Sequence, residues 1–190
     1  MDLFFLFLSV VLVNNFILAQ FLGLCSFFGV SHRIENSIGM SLAVTFVITL
    51  SAFFTHITYN YILVPLDVEY LSTLAYILII ASLVQLVEMF IKKSSPPLYR
   101  ALGVYLPLIA VNCAIFGVAI INQRNNHTLL QAVVYGFGAG IGFAIAILLL
   151  AGLRTKLEKS DIPKIFRGYP ITFIIAGLMS IAFMGFSGLF

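Results

Sequence analysis

The sequence predicts an all-α integral membrane protein: six transmembrane helices in two inverted three-helix repeats, the first helix of each repeat broken. Three observations carry this expectation. Hydrophobic residues make up 62% of the 190 positions and charged residues 9%, with a mean hydropathy of +1.12. A soluble domain has roughly 25% charged residues, so the apolar excess here has only lipid to face. The apolar residues also fall into six long stretches separated by short polar ones. Finally, one motif occurs twice, about half the chain apart.

A helix crossing a ~30 Å hydrocarbon core needs about 20 mostly apolar residues. Residues 3–30, 38–64, 71–91, 101–122, 129–153 and 171–190 qualify. The first stretch would be about 42 Å long as one helix, more than the core requires. It also contains Asn14, Asn15, Gln20, Gly23 and Gly29, and the fourth stretch contains Gly103, Pro107, Asn112 and Gly117. Such residues are tolerated mid-span where the backbone is buried in protein or lines a cavity, so both stretches read as broken helices. Gly136, Gly138, Gly140 and Gly142 on the fifth stretch form two overlapping small-xxx-small patterns, which suit close helix contact. They do not make a dinucleotide fingerprint, because no strand precedes them and the glycine register is wrong.

Alternation of the six spans puts Arg33, Lys92, Lys93, Arg100, Arg154, Lys156, Lys159, Lys164 and Arg167 on one face. The other face holds Arg124 beside Asp67 and Glu69. Short loops rich in Lys and Arg stay in the cytoplasm, so the basic face is cytoplasmic and both termini point outward. The 154–167 loop mixes signs and reads as a short surface helix ending near Pro163. A net charge of +3 gives no support to nucleic-acid binding. The start of the chain lacks the basic region and cleavage site of a signal peptide, so the first span is expected to be retained.

The duplicated motif is Leu22-Gly23-Leu24-Cys25-Ser26-Phe27-Phe28-Gly29-Val30, matched 88 residues later by Ala110-Val111-Asn112-Cys113-Ala114-Ile115-Phe116-Gly117-Val118. Both copies carry Cys-x-x-Phe-Gly-Val and hold the only two cysteines. The halves are residues 1 to about 95 and 96 to 190. Three spans per half is an odd number, so the second half enters the membrane from the opposite side. Inverted repeats of this kind place their working site near the midplane, often on interrupted helices. A structural disulfide, a regulatory dithiol and a metal site are all open to Cys25 and Cys113. A regulatory dithiol wants solvent access and a nearby base or cation. Thiolates are ligands of zinc and iron–sulfur centres, which fits better. Such centres ordinarily take four protein ligands, and His32, His56 and His127 are not in ligand spacing with the thiols. A half-site therefore predicts a partner built on the same plan.

Several stretches resemble a known family. They are Val13-Asn14-Asn15-Phe16, Phe21-Leu22-Gly23-Leu24-Cys25, Ser95-Pro96-Pro97-Leu98-Tyr99-Arg100-Ala101-Leu102-Gly103, Leu106-Pro107-Leu108-Ile109 and Asn112-Cys113-Ala114, with Asp161-Ile162-Pro163, Phe166-Arg167-Gly168 and the tail from Gly177 to Gly188. Over nearly its whole length the chain is similar to the A-type membrane component of the Rnf complex, the ion-translocating ferredoxin:NAD oxidoreductase of prokaryotic cell membranes. The E-type component of the sodium-translocating NADH:quinone reductase belongs to the same family, and Val134-Tyr135-Gly136-Phe137-Gly138 and Ala151-Gly152 lean toward it. The resemblance implies an intramembrane 2Fe–2S cluster shared with a homologous, oppositely inserted partner of the Rnf E type. Each of the two chains would give two cysteines, here Cys25 and Cys113. Electrons would pass between cytoplasmic iron–sulfur and outer flavin subunits, coupled to export of Na⁺ or H⁺. No catalytic acid, base or nucleophile is expected in this chain alone.

Three amides and one acid complete the candidate set. Asn14, Asn15 and Asn112 could hydrogen-bond broken backbone or cluster sulfurs, or serve as polar glue between helices. Glu88 is an acid within an apolar stretch, and an intramembrane carboxylate is an ion-path candidate by default. Lys92 at i+4 offers it a structural ion pair instead. An ion carrier or a scaffold without a redox centre are the competing readings of the whole.

Overall fold

A computed structural model describes residues 3–94, 106–157 and 165–185, together with 160, 161 and 163. Every regular element among them is helical. In chain order these are α1 (Leu3–Leu8), continued by a π-helical turn (Ser9–Val13), α2 (Leu24–Val30), and α3 (Ile34–Thr58), continued by a second π turn (Tyr59–Leu63). A 3₁₀ turn (Glu69–Leu71) then leads into α4 (Ser72–Ser94), followed by α5 (Leu106–Ala110), α6 (Cys113–Arg124), α7 (Leu129–Leu157) and α8 (Tyr169–Met184). Four stretches are long and apolar enough to cross a membrane: Ile34–Leu63, Glu69–Lys93, Pro107–Arg124 and Leu129–Leu157. The outer two of the six expected spans are shorter as helices, at Leu3–Val13 and Tyr169–Met184. The tail after 185 and the 95–105 segment, including part of the expected fourth span, lie outside the described residues.

The first expected span is split into Leu3–Val13 and α2, with irregular backbone over 14–23. The fourth is split after Ala110, and α6 restarts at Cys113. One expectation needs correcting: residues 154–157 are the last turn of α7 and do not open a separate surface helix. The apolar run 129–153 has no helix breaker after it, so the helix continues into the charged residues. Ile165–Gly168 is a turn, while 158, 159, 162 and 164 lie outside the described residues.

The centre of the molecule is the long contact between α3 and α7. Its core holds Met40, Val44, Val47 and Ile48 from α3 against Phe143, Ala146, Ile147 and Leu150 from α7. The α7 glycines let two neighbours approach. A Cβ at Gly140 would stand 2.8 Å from Thr45 Cα, and one at Gly142 would stand 3.3 Å from Asn15 Nδ2 and 3.4 Å from the Val11 carbonyl. Gly136 and Gly140 thus admit α3, while Gly138 and Gly142 admit the first broken span. Two hydroxyls on α3 bond back to their own turn: Thr45 to the Ser41 carbonyl and Thr49 to the Thr45 carbonyl, both at 2.7 Å. That leaves no stray hydroxyl proton at these positions in an apolar setting.

Candidate functional site

The two helix breaks meet each other. Gly23, at the end of the first break, donates its backbone N–H to Cys113 Sγ at 2.9 Å. A Cβ on Gly23 would lie 3.2 Å from Asn112 Oδ1, 3.3 Å from Ala114 Cβ and 3.4 Å from Phe143. Gly23 also has φ +86°, a left-handed conformation that glycine adopts without the penalty of a Cβ. Two residues on, Cys25 sits in the first turn of α2, and Cys113 is the first residue of α6. Both thiols are free and exposed. Beside them Phe21 and Val111 are 60% and 71% exposed, so an apolar surface frames the sulfurs.

Irregular backbone away from water must find partners for its N–H and C=O groups, and the two breaks supply them from side chains. Asn15, 1% exposed, accepts the Ile17 N–H at 3.1 Å and donates to the Gly142 carbonyl at 2.9 Å. Ser180 on α8 donates to the Leu18 carbonyl. Asn112 caps α6, its Oδ1 accepting the Ala114 N–H at 3.0 Å. Its Nδ2 donates to Ser26 Oγ at 3.4 Å, and Ser26 donates in turn to the Gly23 carbonyl at 3.0 Å. The amides of Asn15 and Asn112 therefore hold backbone, and the sulfur of Cys113 takes its hydrogen bond from Gly23. Asn14 is exposed and bonds Ser9 Oγ at 3.3 Å.

Glu88 lies half-buried on α4, one turn from Lys92, and is not among the groups bonded at the two breaks. Among the described residues, no cluster of three or more His, Cys, Asp or Glu could hold a metal within this chain alone. The donor set at the breaks is two exposed thiols. That fits half the protein ligands of an iron–sulfur centre and not a complete one.

Three residues escaped the sequence reading. Gly23 donates to a sulfur through its backbone, and backbone donors leave no mark in a motif. Ser26 stood inside the quoted repeat, yet its pairing with Asn112 across the two halves has no sequence signature. Arg154 reads in sequence as one more basic loop residue, but it is only 7% exposed.

At the α6–α7 connection, a second polar region surrounds a cavity of about 520 Å³ lined by His56, Asn60, Tyr76, Asn122, Gln123 and His127 among others. His56 Nε2 meets the His127 carbonyl at 2.9 Å, and His127 Nδ1 meets Asn122 Oδ1 at 2.9 Å. Burial holds the His127 imidazole below its ordinary pKa of 6.5.

Comparisons with known proteins place the chain in a membrane-protein family. A family model described as "Rnf-Nqr subunit, membrane protein" matches residues 3–190. The chain is 54% identical over 189 residues to the A-type component of the Na(+)-translocating ferredoxin:NAD(+) oxidoreductase complex of Acetobacterium woodii, covering 100% of this chain and 98% of that one. It is 56% identical over 183 residues to the A-type component of the ion-translocating oxidoreductase complex of Alcanivorax borkumensis, covering 96% and 94%. The Pseudomonas aeruginosa protein of the same description is 54% identical over 189 residues, covering 99% and 97%. With four helices of spanning length and a family match over nearly its whole length, this chain belongs to the Rnf-Nqr family of membrane-protein subunits.

Proposed function

We propose that this chain is the A-type membrane component of an ion-translocating ferredoxin:NAD oxidoreductase complex, and that Cys25 and Cys113 supply half the ligands of an intramembrane 2Fe–2S cluster. The class of complex follows the relatives' names and the near-complete overlap with them. One observation carries the cluster: a thiol from each half is exposed, on two helix breaks that touch. Buried in this chain, the thiols would be inert packing; on its surface within an apolar frame, they want a partner. That partner is a homologous chain of the Rnf E type, oppositely inserted, bringing two more cysteines.

When bound, the cluster supplies one-electron transfer, with a potential set by solvent exclusion and hydrogen bonds to sulfur. This chain's own residues do the rest. The Gly23 N–H donates to the Cys113 sulfur, Asn112 and Ser26 fix the backbone on either side of it, and Phe21 and Val111 keep water away once the partner covers them. The two halves form a six-span inverted repeat in the prokaryotic cell membrane, with basic loops cytoplasmic and both termini outside. Electrons pass between the cytoplasmic iron–sulfur and outer flavin subunits of the complex, coupled to export of Na⁺ or H⁺.

The test is Cys25→Ser and Cys113→Ser in the purified complex, read by electron paramagnetic resonance, iron and sulfide content, and subunit composition. Each variant is expected to lose one 2Fe–2S signal and ferredoxin-to-NAD electron flow while every subunit stays. Retention of all clusters would refute the ligand assignment. Continued ion transport would favour a carrier, and lost subunits a scaffold.

A further inference from the structure

We infer that Arg154 is a positioning residue for Cys25, holding the short helix that carries it from the opposite end; this rests on the reading of Cys25 as a cluster ligand. α2 is only seven residues long, too short to be stable on its own. Its N-terminal end is fixed where Gly23 meets Cys113, Asn112 and Ala114. Its C-terminal end presents carbonyls that the helix itself leaves unpaired.

Ser37 Oγ donates to the Val30 carbonyl at 3.3 Å, and Arg154 reaches the Phe28 carbonyl from the last turns of α7. Its Nη1 donates to the Phe28 carbonyl at 3.3 Å and to Ser31 Oγ at 2.8 Å, and its Nη2 meets His32 Nδ1 at 2.8 Å. One rigid, planar fork thus grips the segment 28–32 at several points, which a flexible ammonium cannot reproduce. An arginine serving only the charge asymmetry of the loops would point into water, whereas this one is 7% exposed. Phe28 lies one helical turn beyond Cys25, so the cation stands at the next turn of the helix that bears the thiol. Because α7 packs along α3, Arg154 ties α2 to the most extensively packed pair of helices among the described residues. The fork sets the helix, and a positive charge at its C-terminal end favours the reduced, more negative state of a cluster held at its N-terminal end.

The experiment compares Arg154→Gln and Arg154→Lys with the unaltered complex by two readouts. One is amide hydrogen exchange over residues 24–31 and 34–58. The other is the midpoint potential of the membrane cluster from a titration followed by electron paramagnetic resonance. R154Q is expected to speed exchange over 24–31 roughly tenfold, the scale of losing hydrogen bonds to a charged group, and to leave 34–58 unchanged. It should also shift the potential to more negative values. R154K should recover most of the potential and little of the exchange protection. Unchanged exchange and potential in R154Q, or exchange accelerated equally in every helix, would overturn the inference. If R154Q does not accumulate, Ser31→Ala removes one acceptor and keeps the charge; unaltered exchange over 28–31 would then count against the fork. If the unaltered complex shows no membrane cluster, the ligand reading fails, and the exchange comparison still decides whether Arg154 holds α2.

Discussion

Gly23 combines a backbone conformation at φ +86° with contacts that leave little room for even a methyl group. Gly23→Ala is therefore expected to cost about 1–3 kcal/mol through strain at the left-handed position, with further crowding of Asn112 Oδ1. Thermal unfolding of the detergent-solubilised chain measures the loss. In the complex, the same variant should perturb the spectrum of the proposed cluster, because it displaces the donor to Cys113 Sγ. At this scale the sequence was half legible. The paired Cys-x-x-Phe-Gly-Val motif located both thiols, since a repeated cysteine in apolar surroundings is conspicuous. The neighbouring amides Asn14 and Asn15 could not be told apart, because which of two adjacent residues faces inward depends on how the irregular turn winds. The structure buries Asn15 and leaves Asn14 exposed.

Among the elements, α7 shows how far composition alone can go. Its glycines signalled close helix contact, and two faces of the helix indeed admit two different neighbours. Gly140→Ala would place its Cβ 2.7–2.9 Å from three atoms of Thr45, including Cα, so backbone must move. A destabilisation of about 1–3 kcal/mol is expected, the usual scale of overpacking. Gly152→Ala on the same helix meets nothing within 4 Å and should be neutral or stabilising by up to about 1 kcal/mol through helix propensity. Parallel melting curves of the two variants separate packing from propensity. The helix breaks were legible because amides, glycines and a proline cluster where a span should be uniform. The π turns at Ser9–Val13 and Tyr59–Leu63 were not, since an added residue per turn leaves hydrophobicity unchanged. The end of α7 was missed because polarity marks where lipid stops, not where a helix stops.

On the scale of the whole molecule, the two ends of α7 are unlike. One end joins the cavity of His56, Asn122 and His127, and the other brings Arg154 to α2. His127 has a folded-state pKa held below 6.5 by burial, so the unfolded chain binds its proton more readily. Its contribution to stability is therefore full above pH 6.5 and lost as the pH falls through that value toward the folded pKa. The melting temperature of the unaltered protein should drop more steeply below pH 6.5 than that of His127→Gln. Equal slopes would show that His127 does not carry this dependence. The all-helical class and the apolar stretches followed from composition. That the two breaks touch did not, because contact between distant segments is written in the shapes of both and in neither alone.

That contact also makes the sulfur of Cys113 sensitive to motion. The amide leaning on it belongs to the other half of the chain, at 2.9 Å. Sliding one half against the other would stretch that bond and change the electric field at the sulfur. In the proposed cluster, mechanical displacement and electron affinity would thereby be joined at a single atom.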